Sequence, residues 1–224
     1  MLKFFSLKKK LFLFGLLTLV LLFQVIFCSC SNNVPEISNA KLSIIFDYES
    51  YDSFPSARLS VFVEAASNPR RFESINVTSE KNELVWESSN IVLAENNEIK
   101  YCGLTNLVMP QNETIPSGAY TITFTQSDEE KKEIKTFLNY DKELYNTKGS
   151  DASDVMKRYV SSRMLTIYDS ENNIIYYGPR TTEFSNARGI WNQYPKATEF
   201  QETWINSNGT VICNMPMEKV VPGN

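Results

Sequence analysis

The chain has 224 residues, with 22 basic and 26 acidic side chains, no histidine and a net charge of −4. The missing histidine excludes Ser-His-Asp and Cys-His catalysis, and removes both the commonest general base near neutral pH and the commonest transition-metal ligand. The acidic balance argues against a nucleic-acid partner, because phosphate neutralisation needs clustered Lys and Arg.

Met1 to Lys10 carries Lys3, Lys8, Lys9 and Lys10 and no acid, and Leu11 to Phe27 is an apolar run broken only by Gly15, Thr18 and Gln24. That is a charged n-region followed by an h-region. Its 17 residues sit at the lower edge of a bilayer span, so the flank decides. The flanking segment Cys28-Ser29-Cys30-Ser31-Asn32-Asn33 is small and polar, and not a basic stop-transfer patch.

The segment Val25-Ile26-Phe27-Cys28-Ser29-Cys30 resembles the lipobox of bacterial lipoproteins, in which a small residue precedes a Cys that receives diacylglycerol on its sulfur and becomes the mature N-terminus. Cys30 follows Ser29 and suits that role, whereas Cys28 follows the bulky Phe27. Phe27 at the third position back is similar to the looser lipoboxes of spirochaetes. The resemblance implies a signal peptide over 1–29, a lipidated tether over 30–36 and a globular part held to a membrane outside the cytoplasm, in the cell envelope. An uncleaved single-span anchor and ordinary signal-peptide cleavage are the alternatives. At ~0.8 kcal/mol per buried methylene one acyl chain binds only marginally, but a triacylated Cys holds firmly. Removing residues 1–29 leaves 195 residues and, with the four leader lysines gone, a net charge of −8.

From Ala40 the pattern alternates, with Leu42, Ile44, Phe46 and Tyr48 on one face and Lys41, Ser43 and Asp47 on the other, the signature of a half-buried strand. Pro55 marks a loop. Leu59, Val61 and Val63 predict a second strand, and Phe72 to Thr78 and Glu83 to Glu87 predict a hairpin across Ser79 to Asn82. Ile91 to Leu93 and Ile99 to Leu104 are shorter candidates. Ile115-Pro116-Ser117-Gly118 is a turn leading into the clearest alternation of the chain, Tyr120, Ile122 and Phe124 against Thr121, Thr123 and Thr125. A polar turn at Asp128 to Lys132 returns the chain into Ile134 to Tyr140.

Six or seven short strands without a helical period predict an antiparallel β-sandwich over 37–141. At Ile115 to Phe124 the sequence also resembles the late strand of fibronectin type III and other immunoglobulin-like domains, where a Pro and Gly turn precedes Tyr and alternating β-branched residues. The resemblance implies an Ig-like fold. The Cys-Trp-Cys spacing of antibody domains is absent.

Residues 142–224 read as a small α+β segment with one short helix and two hairpins. Lys142 to Gly149 reads as a linker. Ser150 to Asp154 offers caps and acids to a helix N-terminus, Lys157, Arg158 and Arg163 lie toward the other end, and Val155, Met156, Tyr159, Val160 and Met164 recur at helical spacing. Leu165 to Tyr168 and Ile174 to Tyr177 flank the polar run Asp169 to Asn173. As a calcium loop that run fails, with Ile174 at the sixth position and Arg180 at the twelfth; a hairpin turn fits it. A second hairpin runs through Asn206-Ser207-Asn208-Gly209, joining Thr198 to Ile205 with Thr210 to Cys213.

Cys102 and Cys213 remain for structure. Export permits a disulfide between them, and two buried thiols are the alternative. Trp191, Tyr194 and Trp204 offer either core area or a stacking platform for a sugar. No catalytic or cofactor motif is recognisable in the sequence, and no cofactor or metal is expected. The expected function is a non-enzymatic binding, interaction or structural module of the envelope with a protein or glycan partner. Carbohydrate binding through those three aromatics and hydrolysis by a carboxylate pair are the alternatives.

Overall fold

The computed structural model describes residues 36–66, 69–110, 113–127 and 129–220. Cys30, the leader and nearly all of the tether lie outside these residues. Among the described residues no helix is long and apolar enough to cross a membrane.

The fold is mainly β. Its strands are β1 (Ile37–Asp47), β2 (Ser56–Ala65), β3 (Phe72–Ser79), β4 (Val85–Ser88), β5 (Val92–Asn96), β6 (Ile99–Val108), β7 (Gly118–Gln126), β8 (Lys131–Leu138), β9 (Ser161–Tyr168), β10 (Ile174–Pro179), β11 (Glu199–Asn206), β12 (Val211–Asn214) and β13 (Glu218–Lys219). Two α-helices, α1 (Gly149–Lys157) and α2 (Ala187–Gln193), interrupt the second half. Strands form where the sequence alternates: Tyr120, Ile122 and Phe124 of β7 are fully buried, while the threonines between them are half-exposed.

The strands make two sheets. The smaller has the order β4-β3-β7-β8, and the larger has the order β10-β9-β11-β12-β1-β2-β6-β5 with β13 on β11. The larger sheet curls into a half-barrel. Leu42, Ile44, Leu59, Val61, Val63 and Leu104 from the larger sheet and Ile75, Val77, Ile122, Phe124 and Leu138 from the smaller enter one core. Val155 and Met156 of α1, Trp204, Val211 and Met215 belong to it too, so residues on both sides of position 141 share that core. A second, smaller core gathers Leu165, Ile167, Phe184, Ile190 and Phe200.

Tyrosines fix the entry to β7. The Tyr120 hydroxyl donates to the Pro116 carbonyl at 2.6 Å, that of Tyr140 donates to the Ile115 carbonyl, and the Ile115 amide donates to the Tyr145 hydroxyl at 2.9 Å. Both hairpins expected in the second half form, β9 with β10 and β11 with β12. In the first turn Asp169 accepts from the amides of Glu171 and Asn173 at 2.9 Å each. In the second, Gly209 takes the positive φ of 68° that its position demands.

Three expectations are corrected. The helix is shorter than its apolar stripe: α1 stops at Lys157, Val160 is 83% exposed, and Arg163 and Met164 belong to β9. Pairing decides this, because from Ser161 onward the chain lies in register with β11, from Ser161 opposite Asn206 to Tyr168 opposite Glu199. A tertiary ladder outweighs helix continuation through Val160, Ser161 and Ser162, all weak helix formers. A second helix is also present, α2, capped by Asn186, whose side-chain oxygen accepts from the Gly189 amide at 2.9 Å. The supposed linker holds a 3-10 helix, Lys142–Asn146, that buries Leu144.

The disulfide is not formed. Cys102 and Cys213 are buried free thiols. They lie on β6 and β12, three strand spacings apart in the order β12-β1-β2-β6, or roughly 14 Å. Phe46 registers with both Cys213 and Ala57, and Cys102 with Val63, which adds a lengthwise offset. Bridging requires Cα atoms within about 7 Å.

The larger sheet supplies two tests. At Gly103, opposite Phe62, an added Cβ would sit 2.0 Å from the Val61 carbonyl oxygen and 2.8 Å from the Phe62 Cα. Both are backbone atoms of β2 and cannot yield, so Gly103→Ala should lower stability by about 3 kcal/mol or more, read by urea unfolding. Burial pushes the Cys102 and Cys213 thiols up from 9.0 to about 12, Asp47 adding to the effect at Cys213. Groups held protonated in the fold contribute stability that is complete below the ordinary value and lost as pH rises through the folded one. Stability should therefore fall between pH 9 and 12, and both thiols should resist alkylation natively yet react in denaturant, as followed by mass.

Candidate functional site

Residues from three neighbouring strands meet at one end of the larger sheet. Arg163 on β9 lies directly opposite Trp204 on β11, and Glu202 is two residues from Trp204, on the same face. Cross-strand neighbours at this diagonal separation are within reach of a long side chain. Arg163 uses that reach, donating from Nε to Glu202 Oε1 at 3.0 Å and from Nη2 to Oε2 at 2.7 Å. Its guanidinium carbon also lies 4.9 Å from the centroid of the Trp204 ring.

Arg180 follows the end of β10 and is placed by its amide, which donates to the Arg163 carbonyl at 3.0 Å. Its Nη1 donates to Glu202 Oε2, and its Nη2 to the Ser185 carbonyl at 2.9 Å. Burial, then the nearness of Arg163, pushes the Arg180 guanidinium below its ordinary value, while Glu218 opposes both. It stays charged in any case. Glu202 is thus a carboxylate with a side-chain exposure of 8%, its two oxygens taken by two guanidinium groups.

Helix α1 closes one side. Its start is tied down by the Gly149 amide donating to the Ser53 carbonyl at 3.1 Å and the Ser150 amide donating to the Tyr51 carbonyl at 2.8 Å. Ser150, Ser153 and Lys157 recur at helical spacing and line the same cleft. From the other side comes Glu218 of β13, whose Oε1 accepts from the Tyr51 hydroxyl at 2.5 Å. Burial first, and this hydrogen bond second, push the Tyr51 phenol up to about 12. The resulting cleft has a volume of 310 Å³.

The aromatics singled out by sequence do not converge. Trp204 is only 6% exposed and belongs to the main core, with one ring face covered by Arg163. Trp191 and Tyr194 pack against the smaller core, Tyr194 with ring centroids 5.7 Å from Tyr176 and 6.0 Å from Phe184. Of the three, Trp204 alone lines the cleft.

Arg163, Arg180, Glu202, Glu218 and Tyr51 were not legible as a site. One signal was available: in the predicted strand Thr198 to Ile205, period-two alternation puts Glu202 and Trp204 on one face, and an acid beside a buried aromatic requires a cation. Two carboxylates line the cleft, Glu202 and Glu218. With both oxygens held by guanidinium groups, Glu202 cannot serve as the proton-bearing general acid of a glycosidase pair.

Removing the charge at Glu202 leaves two guanidinium groups without their counter-ion. Glu202→Gln should cost roughly 2 to 3 kcal/mol in chemical denaturation, below the usual range for a broken buried pair because Arg163 is partly exposed. No protein-family model and no curated protein matches the chain.

Proposed function

We propose that this protein is an exported lipoprotein, anchored through Cys30 to a membrane of the cell envelope, whose globular part is a non-enzymatic binding module. The observation that carries the anchor is the sequence Val25 to Cys30 behind a lysine-bearing, apolar leader. The described residues begin only six positions after Cys30, a reach of at most about 20 Å, so the module stands close to the lipid surface.

Within the module, residues 37–141 form an Ig-like sandwich. Strand order supports this reading: β1-β2-β6-β5 against β4-β3-β7-β8 corresponds to strands A-B-E-D facing C′-C-F-G. The Tyr120 hydroxyl bonded to the carbonyl four residues upstream matches the tyrosine corner found at the start of strand F in such domains. The segment 142–224 extends the A-strand side of the sandwich, and its cleft supplies the polar contacts of the module. With Trp204 covered and Trp191 and Tyr194 engaged elsewhere, a stacking platform for sugars has no support in the geometry, and binding is assigned to the cleft.

Intact-mass measurement of the membrane-extracted protein tests the anchor. The wild type should carry the mass of a diacylglyceryl group and an N-acyl chain on a chain starting at Cys30, and Cys30→Ala should lose both acyl masses. An unmodified mass for the wild type, or acyl mass retained in Cys30→Ala, would refute it. Cross-linking on intact cells tests the module, a reproducible partner being expected and its repeated absence counting against a binding role.

A further inference from the structure

Three cations, Lys157, Arg163 and Arg180, and two carboxylates, Glu202 and Glu218, line the cleft. Asp154, outside the cleft, pairs with Lys157, so three cations face three carboxylates and the cluster is balanced in a chain whose net charge is −4. Glu202 is satisfied by the two arginines, and Glu218 Oε1 by Tyr51. Other polar groups on the wall retain unused capacity. Arg163 bonds Glu202 through Nε and Nη2 only, leaving Nη1, and Lys157 gives one bond, to Asp154 at 2.8 Å. The hydroxyls of Ser150 and Ser153 and the second oxygen of Glu218 make no hydrogen bond among the described residues. The indole N–H of Trp204 is likewise buried without an acceptor.

We propose that this cleft binds a small hydroxy-carboxylate of monosaccharide size, an acidic sugar in chemical class. A carboxylate can take charge-assisted bonds from the free edge of Arg163 and from Lys157, whose partner Asp154 is exposed; because the charges in and against the cleft already balance, a singly charged anion leaves less unpaired charge than a phosphate dianion does. The serine hydroxyls and the free Glu218 oxygen are donors and an acceptor for hydroxyl groups rather than for a second anion. A volume of 310 Å³ is at the small end of ligand sites, about 300 to 1,000 Å³, which suits one ring rather than an oligomer. Both arginines are already fixed, by Glu202 and by the Ser185 carbonyl, so a ligand meets preset donors and does not have to order them.

This inference rests on the binding-module reading but not on the lipid anchor. It is tested on the full chain in detergent, with sodium D-glucuronate as the probe and glucose and inorganic phosphate as comparators. The chain has three tryptophans. Their indole N–H signals are resolved by ¹H–¹⁵N NMR, that of Trp204 being the one missing in Trp204→Phe. Glucuronate should shift the Trp204 signal saturably, because its carboxylate draws on the guanidinium stacked over that ring, and glucose should not. Lys157→Gln should weaken the response about tenfold, the loss of one charge-assisted bond. Its partner Asp154 has a side-chain exposure of 75%, so the remaining signals should stay in place. A Trp204 signal unmoved by glucuronate, an equal response to phosphate or to glucose, or an undiminished response in Lys157→Gln overturns the assignment. If the cleft is silent while cross-linking still finds a partner, the site falls and the binding module stands.

Discussion

The parallel ladder between β1 and β12 is the constraint on which the rest depends. It pairs Ile44 to Asp47 with Val211 to Asn214, residues 167 positions apart in sequence. The Ile44 amide donates to the Thr210 carbonyl at 2.8 Å and the Tyr48 amide to the Asn214 carbonyl at 3.0 Å. Asp47 fastens the joint, accepting from Asn214 Nδ2 at 2.7 Å and from Arg58 Nε at 2.6 Å. With β2 on its other edge, β1 becomes an interior strand, buried on both faces from Leu42 to Phe46. Without this ladder β12, β11, β9 and β10 would have no sheet to extend, and Arg163, Arg180 and Glu202 would not be brought together. The joint closes a loop of most of the chain, the kind of contact that forms late and slowly in folding.

What the sequence made legible was local. Alternation at Leu42 to Tyr48 and at Tyr120 to Phe124 identifies strands because successive side chains in a strand point to opposite faces of the sheet, although in β1 both faces are buried from Leu42 to Phe46. The Asn-Gly pair and the Asp169 turn identified hairpins because those residues favour the required backbone angles. A strand paired in parallel to one that precedes it by 167 residues leaves no such mark: Val211 to Asn214 looks the same whichever neighbour it finds. Arg163 shows the same limit from the other side. Helical spacing of Met156, Tyr159 and Val160 predicts a helix that continues to Arg163, and only the register with Trp204 puts that residue in a strand. The cleft stayed hidden because its members come from six separate segments and meet through tertiary pairing alone.

The ion cluster is better explained by placement than by stability. Burying a carboxylate with two guanidinium groups costs desolvation that the attraction roughly repays, so a well-packed apolar set of similar volume would hold the sheet as well. What an apolar set would not do is hold a guanidinium over the Trp204 ring and another against the Ser185 carbonyl. Glu202 does both, as a fixed post between two arms. The Tyr51 to Glu218 hydrogen bond plays the same part at the opposite wall, joining the loop after β1 to β13.

The charge balance sets how such a site can work. The mature chain that lipidation at Cys30 would leave is acidic, which opposes the approach of anions over long distances. At physiological ionic strength that field decays within about 8 Å, so the few charges lining the cleft dominate once a ligand is close. Affinity for an anion must therefore come from short-range, directional bonds to preset donors and not from electrostatic steering. Such bonds depend on geometry, and the geometry exists only when the loop after β1, α1, β9, the end of β10, β11 and β13 are all in place. Since β9, β10, β11 and β13 join β1 through β12, binding in the cleft and docking of the C-terminal segment are thermodynamically linked: a ligand held there favours the closed sheet over any form in which that segment has come away.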